Sequence, residues 1–433
     1  MIDGRTRSRD GRRDSDDQAT QPIPRFRPPG HLLRPYEVPD DTDTQVLPVI
    51  GPEMFTEIVT QPVRLPRADP EPAAYRKVVA IVPAWNEADA IVATVQALQA
   101  QSRPLDGIVV VANNCTDDTS ALAKQAGAEV LDMPVNSYKK AGAMNYALDL
   151  VLPGLDDEDF VLLQDADTCL NPDFAKCAEE AMRPGIGGVC ARYDNPAPRN
   201  LLERLQASEF TRSRRRISRA RDNIGGVTVT GKVLILVGIA TLFRVGVLRH
   251  VLAAREAGEL PGSRTYYNLT SLCEDYEMTI AMKTLGYKLT SPARCRPWTH
   301  AMPTLAKLHG QRVRWTRGAL DDLQLYGWTK VTRKYIMAQI GRMLSMLSPI
   351  LFVAYLLSLQ LTYGRIVWDL PWVCVNALFI GERVISVRKA GWKATLLSAL
   401  LLPELAYDWF MAVCYLQGLV QHLRGTTAIW KET

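Results

Sequence analysis

The sequence lacks features that mark nucleic-acid-binding, zinc-binding and secreted proteins. Its 433 residues carry a formal net charge of only +5, which argues against bulk binding of nucleic acid. The eight cysteines form no CxxC pair and no His/Cys cluster at zinc spacing, which favours a reducing compartment and argues against a structural metal site. Residues 1–17 are rich in Arg and Asp and lead into no apolar segment, so we expect no cleaved secretory signal.

The composition leaves the broad class open between a soluble and a membrane protein. Hydrophobic residues make up 47% of the chain, and its length allows two or three structural units at roughly 150 residues per domain. The mean hydropathy is near zero, which also fits a polar tail, a soluble domain and a few apolar spans pooled together. The distribution of residues along the chain therefore matters more than the average.

Residues 1–72 are predicted to form a disordered polar tail. They hold 12 of the 27 prolines, many charges of both signs and no sustained helical or strand period. Thr20, Thr44 and Thr60 are each followed by Gln and an apolar or prolyl segment. Two interpretations stay open: a low-complexity repeat, or phosphorylation sites that bind a phosphothreonine-binding partner through an Arg cluster.

From Lys77 the pattern changes to alternating strands and helices. Short apolar runs predict strands over 78–83, 107–112, 129–131 and 160–163, and helical periodicity predicts helices over 90–101, 119–126 and 141–152. Repeated strand–helix units of this spacing predict an α/β fold with a doubly wound, mostly parallel sheet. Ligands bind such sheets at the carboxyl ends of the strands, where the polar clusters of this sequence also fall.

Two later segments have more than one interpretation. Residues 201–221 predict a basic amphipathic helix, with either a solvated face or a face that lies on anionic lipid. Residues 229–251 are strongly apolar, but Lys232, Arg244 and Arg249 interrupt them. We therefore expect a buried strand and helix there rather than a membrane span.

After Lys334 the sequence predicts a C-terminal helical membrane region over 335–424, followed by a short tail over 425–433. Three apolar stretches, 337–363, 366–380 and 395–420, predict three transmembrane helices, with two spans and an interfacial helix as the alternative. The connection 383–393 is basic, so the positive-inside rule places the domain over 73–334 in the cytoplasm. We expect a multi-pass protein of the cell membrane that contacts lipid.

The strongest sign of chemistry is an acidic pair directly after the fourth strand. Alternation along an extended segment places Asp165 and Asp167 on the same side. Carboxylate oxygens suit a hard divalent cation, Mg²⁺ or Mn²⁺, and Mg²⁺ prefers one or two carboxylates together with substrate phosphates. Alone the pattern is weak, because an acidic pair at a strand end is often only a turn.

Three further motifs strengthen this prediction. Asp275 precedes a helix predicted over 276–285 and suits a general base. Gln311, Arg314 and Trp315 combine an amide, a guanidinium and a large aromatic ring, which suit binding of a phosphate and a sugar. Lys140 opens the helix that leads to the acidic pair, where it is placed to contact a nucleotide.

Taken in order, these motifs resemble those of the family 2 glycosyltransferases. The resemblance runs over residues 77–315 through the segments VPAWNE (82–87), NNCTD (113–117), KAGAMN (140–145), DAD (165–167), CED (273–275) and QRVRW (311–315). That family contains inverting enzymes of GT-A fold, among them the membrane-bound cellulose, hyaluronan and poly-N-acetylglucosamine synthases. The resemblance implies a GT-A fold for residues 73–334.

The resemblance also implies a role for each matching residue. Pro83, Glu87 and Asp117 would line the uridine pocket, Lys140 would lie near the nucleotide, Asp165 would contact nucleotide or sugar, Asp167 would bind the metal, Asp275 would be the base, and Gln311, Arg314 and Trp315 would hold the diphosphate and the acceptor end. Residues 238–244 resemble the segment that borders the acceptor sugar. The chain departs from the family at Cys273, where Thr is usual, and at Asn113–Asn114, where many relatives have an acidic pair.

The expected function is that of a membrane-anchored inverting glycosyltransferase, which transfers a sugar from a nucleotide sugar, a UDP-sugar, to a glycan and so extends or synthesises a polysaccharide. A single addition to a lipid or protein acceptor is the alternative, because no apolar span precedes residue 77 and the membrane region is small. A non-catalytic membrane scaffold is the alternative from another class. A nucleotidyltransferase also uses paired carboxylates, but the QxxRW motif and the apolar segments would then have no role.

Overall fold

A computed structural model of the chain describes residues 75–192, 198–218, 233, 235–299, 301–364, 374, 377–378, 381, 384–385, 395–396 and 401–425. The predicted tail with its three threonines lies outside these residues. So do most of the second predicted span, most of the basic connection 383–393, and the basic residues after Ser218 in the predicted amphipathic helix.

Strands and helices alternate over residues 78–190, as the sequence predicts. The strands are β1 Val78–Ala84, β2 Gly107–Asn113, β3 Glu129–Met133, β4 Phe160–Gln164, β5 Cys169–Leu170, β6 Ile186–Cys190, β7 Ala240–Arg244, β8 Lys288–Thr290 and β9 Pro297–Trp298. The helices are α1 Ile91–Gln99, α2 Thr119–Gln125, α3 Lys139–Val151, α4 Phe174–Ala181, α5 Leu201–Ser218, α6 Val245–Glu256, α7 Glu274–Thr284, α8 Leu305–Tyr326, α9 Arg333–Tyr363 and α10 Leu401–Leu423.

The main sheet of the described residues has the strand order β3-β2-β1-β4-β7-β6-β8. Strands β3, β2, β1 and β4 run parallel, which confirms the predicted α/β sheet, and β7 is antiparallel to both β4 and β6. Each of the first parallel strands returns through a helix, whereas an antiparallel neighbour needs no crossover helix. The sheet is therefore mixed and mostly parallel.

Helices cover both faces of the sheet, so the strands are buried on both sides. On one face Ile81 and Leu163 pack with Met144 of α3 and Met278 of α7. On the other face residues of alternating register pack with α1 and α4. This double burial explains why β1 and β4 are nearly continuous apolar runs in the sequence. It also leaves the loops at the strand ends as the places where polar side chains collect.

Strand β7 and helix α6 occupy the apolar segment that the sequence predicts to be buried. Residues Ala240–Phe243 are buried in the sheet, and Val247, Leu248 and Val251 of α6 are buried against it. Helix α6 also buries Arg255, whose guanidinium contacts the Glu277 carboxylate at 2.7 Å with both side chains fully inaccessible. The apolar segment therefore forms a buried strand and helix, as predicted.

The ion pair between Arg255 and Glu277 predicts a large effect on stability. We expect Arg255→Met to lower the free energy of unfolding by about 3–5 kcal/mol, because it leaves the Glu277 carboxylate buried without its cation. Denaturant unfolding followed by tryptophan fluorescence measures the change. Arg294→Met is the matched control, because Arg294 pairs with Glu180 in the open, with both side chains exposed, and exposed pairs contribute about 0–1 kcal/mol. Equal losses in the two variants would contradict the prediction.

Helix α10 packs along α8 through polar as well as apolar contacts. The Tyr407 hydroxyl donates to Glu209 Oε2 of α5 at 2.7 Å, and His422 Nδ1 lies 2.6 Å from Asp321 Oδ1 of α8. The helices approach closely at Gly418, where a Cβ atom would lie 2.8 Å from Thr316 Cβ. The buried face of α10 therefore packs against other helices of the same chain.

Within the part of the chain that the structure describes, no helix combines the length and the apolar character that crossing a membrane requires. The first predicted span, 337–363, falls in α9, and the third, 395–420, falls largely in α10. Helix α10 differs from the prediction because its apolar period reflects packing on α8, and its acidic Glu404 is buried.

Candidate active site

The site lies where the carboxyl ends of β1, β2 and β4 meet at one edge of the sheet. Three residues near these ends have left-handed backbone conformations: Asn86 and Asn114 with φ 53° each, and Lys139 with φ 51°. Asn tolerates this conformation because its short polar side chain bonds locally. Asn86 Oδ1 accepts from the Thr116 amide at 2.8 Å, which joins the loop after β1 to the loop after β2.

A hydrogen-bond chain connects Glu87 and Asp117 across these two loops. The Glu87 amide donates to Thr119 Oγ1 at 2.8 Å, and the Thr119 hydroxyl donates to Asp117 Oδ1 at 2.5 Å. Asp117 Oδ2 also accepts from the Ala88 amide at 3.1 Å. Slight burial raises the pKa of Asp117, but these hydrogen bonds outweigh it and hold the pKa below its ordinary value. One hydrogen-bond network therefore holds Glu87 and Asp117, which are both predicted to bind the nucleotide-sugar donor.

Lys140 joins the acidic pair to the CED motif. Its Nζ lies 2.5 Å from Asp165 Oδ1 and 3.0 Å from Glu274 Oε1, and its side chain is 22% exposed. Burial lowers the pKa of Lys140, but the two carboxylates outweigh that effect and raise the pKa above its ordinary value. Helix α3 and helix α7 thus bring one ammonium group between two carboxylates from distant parts of the chain.

The acidic residues at the edge of the sheet are close enough to repel one another. Burial, then the charges of Asp167, Asp165 and Asp117, raise the pKa of Glu87 to about 7. Burial also raises the pKa of Asp165 to about 6, with Lys140 opposing and Asp167 adding to the shift. Burial is the largest cause of both shifts, and the negative charges of the neighbouring carboxylates add to it. A cation is the ligand that such a cluster favours.

The predicted base Asp275 lies in the first turn of α7, because this helix begins at Glu274, two residues before the predicted start. Its Oδ2 accepts from the Gly238 amide at 3.0 Å, and its Oδ1 accepts from the Tyr276 amide at 2.8 Å. Burial and the neighbouring Glu274 carboxylate raise the pKa of Asp275, while Lys140 and the two amides partly offset the rise. Pro83 and Lys140 line a small cavity together with Asp275.

The QxxRW motif lies on α8, where Gln311, Arg314 and Trp315 share one face at i, i+3 and i+4 spacing. Arg314 NH1 donates to the Leu272 carbonyl at 3.1 Å, three residues before the predicted base. Although burial raises the pKa of Glu274, Lys140 and Arg314 together hold it below its ordinary value. The motif therefore acts electrostatically on the CED segment.

The structure brings most of the predicted site residues into contact or into one electrostatic cluster. Lys140 and Asp165 are in contact, Pro83, Lys140 and Asp275 share a cavity wall, and the charges of Asp117, Asp165 and Asp167 act on Glu87. No direct contact of Gln311 or Trp315 with the acidic residues is found among the described residues.

Sequence reasoning missed Glu274, Thr119 and Arg312. Arg312 bonds Glu209 Oε2 at 2.9 Å, and its guanidinium lies 4.7 Å from the centre of the Trp315 ring. Glu274 adjoins Asp275, and Arg312 lies inside QxxRW, so their motifs were the available signals.

The residues present fit a hard divalent cation. The Asp167 carboxylate is exposed at the strand end, whereas the Asp165 carboxylate is taken by Lys140. The described part of the chain contains no group of three or more Asp, Glu, His or Cys side chains that forms a complete ion site. Mg²⁺ commonly binds one or two carboxylates plus substrate phosphates and water, so an incomplete protein site matches that chemistry.

The chain is similar in sequence to one known protein family. A sequence model of the family described as glycosyltransferase like family 2 matches residues 75–318. No curated protein matches the chain.

Among solved structures, a mannosyltransferase from Pyrobaculum calidifontis in complex with GDP-Man and Mn²⁺ is 17% identical, with a TM-score of 0.48 over 82% of this chain and 89% of that chain. Glucosyl-3-phosphoglycerate synthase from Mycobacterium tuberculosis, in complex with Mn²⁺, UDP and phosphoglyceric acid, is 20% identical, with a TM-score of 0.37 over 56% of this chain and 77% of that chain. S. aureus TarS is 16% identical, with a TM-score of 0.39 over 61% of this chain and 43% of that chain.

Proposed function

The chain belongs to the glycosyltransferase-like family 2 and is a glycosyltransferase, and from that premise we propose that it transfers a sugar from a UDP-sugar to a hydroxyl of a glycan, with inversion at the anomeric carbon. The proposal rests above all on Lys140, whose ammonium contacts Asp165 on the donor side and Glu274 beside the base. A donor held at Asp165 and an acceptor activated at Asp275 would then meet at one edge of the sheet.

The acceptor hydroxyl loses its proton to Asp275 in this mechanism. The Gly238 and Tyr276 amides fix both carboxylate oxygens, which leaves each oxygen a further lone pair for the incoming hydroxyl. The acceptor oxygen then attacks the anomeric carbon from the face opposite the leaving diphosphate, so one displacement inverts the configuration. Asp275 acts as base only when ionised, so activity requires a pH above its raised pKa.

The leaving diphosphate needs positive charge that the acidic edge of the sheet does not supply. Asp167 would hold Mg²⁺ or Mn²⁺, which would neutralise charge on the departing diphosphate. Arg314, on the face of α8 that also carries Gln311 and Trp315, is positioned to add a guanidinium near the CED segment. Glu87, Asp117 and Pro83 would bind the nucleoside part of the donor, and Trp315 would contact the acceptor end.

A donor screen tests the proposal. Purified protein is incubated with UDP-, GDP- and ADP-sugars and Mg²⁺ or Mn²⁺, and release of the nucleoside diphosphate is measured. We expect release from one UDP-sugar, and a loss of about 100-fold or more in Asp167→Ala, because the developing charge loses its counterion. Asp118→Ala, an exposed change in the same region, is the control. Equal turnover in Asp167→Ala would contradict the metal role, and release only from GDP- or ADP-sugars would contradict the UDP assignment.

Product length separates the two acceptor hypotheses. Extension of a glycan yields products of increasing size from a radiolabelled donor, whereas a single addition to a lipid or protein yields one labelled species. The QxxRW motif favours glycan extension. Size analysis of the labelled product decides between them, and a single species would replace the glycan proposal with the single-addition one.

We propose that the protein works at the cytoplasmic face of the cell membrane. Large apolar side chains are exposed along α9, among them Leu344, Leu351, Leu357 and Leu361. Exposed apolar patches of this kind mark contacts with membranes or proteins. Flotation of the full chain with vesicles of anionic lipid tests the proposal, and recovery of the protein only in the lipid-free fraction would contradict it.

The phosphothreonine-binding partner of the tail stays a prediction, which phosphoproteomics of Thr20, Thr44 and Thr60 tests.

A further inference from the structure

The segment between Leu236 and Ile239 connects the predicted base to the acidic pair. The Gly238 amide donates to Asp275 Oδ2 at 3.0 Å, and the Ile239 carbonyl accepts from the Asp165 amide at 2.9 Å. Adjacent residues of one segment therefore contact the carboxylate of the base on one side and the backbone of Asp165 on the other. The segment runs directly into β7, which is paired with β4 throughout its length.

A second contact ties this segment to the backbone of Asp275. The Leu236 amide donates to Thr279 Oγ1 at 2.8 Å, and the Thr279 hydroxyl donates to the Asp275 carbonyl at 2.7 Å. Thr279 is fully buried, so water does not compete for these bonds. Asp275 is thus held at its carboxylate by Gly238 and at its backbone, through Thr279, by Leu236.

The absence of a side chain at Gly238 permits this contact. A Cβ atom there would lie 3.2 Å from Asp275 Oδ2 and 3.4 Å from Asp275 Cβ and Cγ. The backbone of Gly238 does not have a positive φ, so alanine fits the backbone itself. A methyl group at this position would therefore act on the Asp275 side chain rather than on the local fold.

We propose that Gly238 is a positioning residue for transfer: its amide and its missing side chain set the place of the Asp275 carboxylate relative to the donor carboxylate Asp165. The inference rests on the proposed role of Asp275 as base. It adds that transfer requires glycine at position 238, although glycine has no reactive group of its own.

Gly238 also affects the protonation of the base. Its amide lowers the pKa of Asp275 and partly offsets burial and the Glu274 charge, which raise it. Other ionisable groups surround Asp275 on α3, on α7, in the loop before α7, on α8 and at the end of β6: Lys140, Glu274, Tyr267, Cys273, Asp322 and Cys190. Gly238→Ala leaves all of these groups in place, so a change in the pH profile reports on the amide contact.

The test compares Gly238→Ala with Gly246→Ala. Gly246 lies at the start of α6 against Asp157, where a Cβ atom would be 3.1 Å from Asp157 Cβ, so the control repeats the crowding of an aspartate away from the site. We expect Gly238→Ala to lower kcat about 10-fold, because a misplacement of about 1 Å can cost about 100-fold and the crowding of Asp275 here is relieved by a smaller shift. We also expect an unchanged KM for the donor. The fall in rate on the acid side of the pH profile (the acid limb) should occur at a higher pH than in the parent protein. Gly246→Ala should retain the parent values.

Thr279→Val is the second variant, because it removes the Leu236 anchor without adding an atom beside Asp275. A lower kcat in both Gly238→Ala and Thr279→Val, with donor binding retained, supports the inference. If Gly238→Ala matches Gly246→Ala, or loses kcat with an unchanged pH profile, the inference is overturned. If Asp275→Asn retains transfer, the proposed role of the base fails instead, so the two failures are distinguishable.

Discussion

Asp275→Asn is expected to abolish sugar transfer while donor binding is retained. The carboxamide matches the carboxylate in shape, but it does not accept the proton of the acceptor hydroxyl. General-base catalysis contributes about 10²–10⁴-fold, so we expect kcat to fall by about 1,000-fold. The Gly238 and Tyr276 amides bond the two Asp275 oxygens, and one of these bonds is lost when an NH₂ group replaces an oxygen. Transfer measured with a saturating donor and acceptor gives the loss, and calorimetry gives the affinity for UDP.

The matched control is Asp322→Asn on the neighbouring helix. Asp322 is buried and accepts from the Ser271 hydroxyl at 3.0 Å, and burial together with the charge of Glu277 raises its pKa well above the ordinary value. A neutral amide there replaces a group already favoured as neutral, so transfer should change little. A loss of UDP binding together with transfer in Asp275→Asn would contradict the assigned role, since it would place Asp275 in donor binding.

The sheet and the acidic pair could be predicted because their signals are local. Strands buried on both faces, such as β1 and β4, are continuous apolar runs, and Asp165 and Asp167 directly follow one of them. The antiparallel β7 could not be predicted in the same way. Its pairing partner β4 lies about 80 residues earlier, and a strand of five residues carries no sign of its direction.

The contacts that organise the site are long-range, and local patterns do not encode them. Lys140 and Glu274 are 134 positions apart, yet their side chains meet at 3.0 Å because α3 and α7 pack on the same face of the sheet. Helix α10 gives the opposite case, because its apolar period suggests contact with lipid as readily as contact with protein. Tyr407 and Gly418 pack it on α5 and α8, so tertiary structure decides what the period means.

Lys140→Met is expected to lower kcat/KM by about 100-fold, with the largest loss at low pH. The variant leaves the Asp165 and Glu274 carboxylates without the cation that lies between them, and truncation of one partner of a partly buried ion pair is costly. Lys140 also lowers the pKa of Asp275, so its loss raises that pKa. The base is then ionised only at higher pH, and activity lost at pH 6 should partly return at pH 9.

Glu274→Gln tests whether charge is the cause. Glu274 raises the pKa of Asp275, opposite to the effect of Lys140, so the double variant Lys140→Met/Glu274→Gln should move the acid limb back toward its original pH. Pairs in direct contact are non-additive, and we expect the double variant to be more active at low pH than Lys140→Met alone. Lys124→Met, which breaks the exposed pair with Asp132, controls for loss of a lysine. A double variant that is no more active at low pH than Lys140→Met alone would contradict the opposing action of the two charges on the pKa of Asp275.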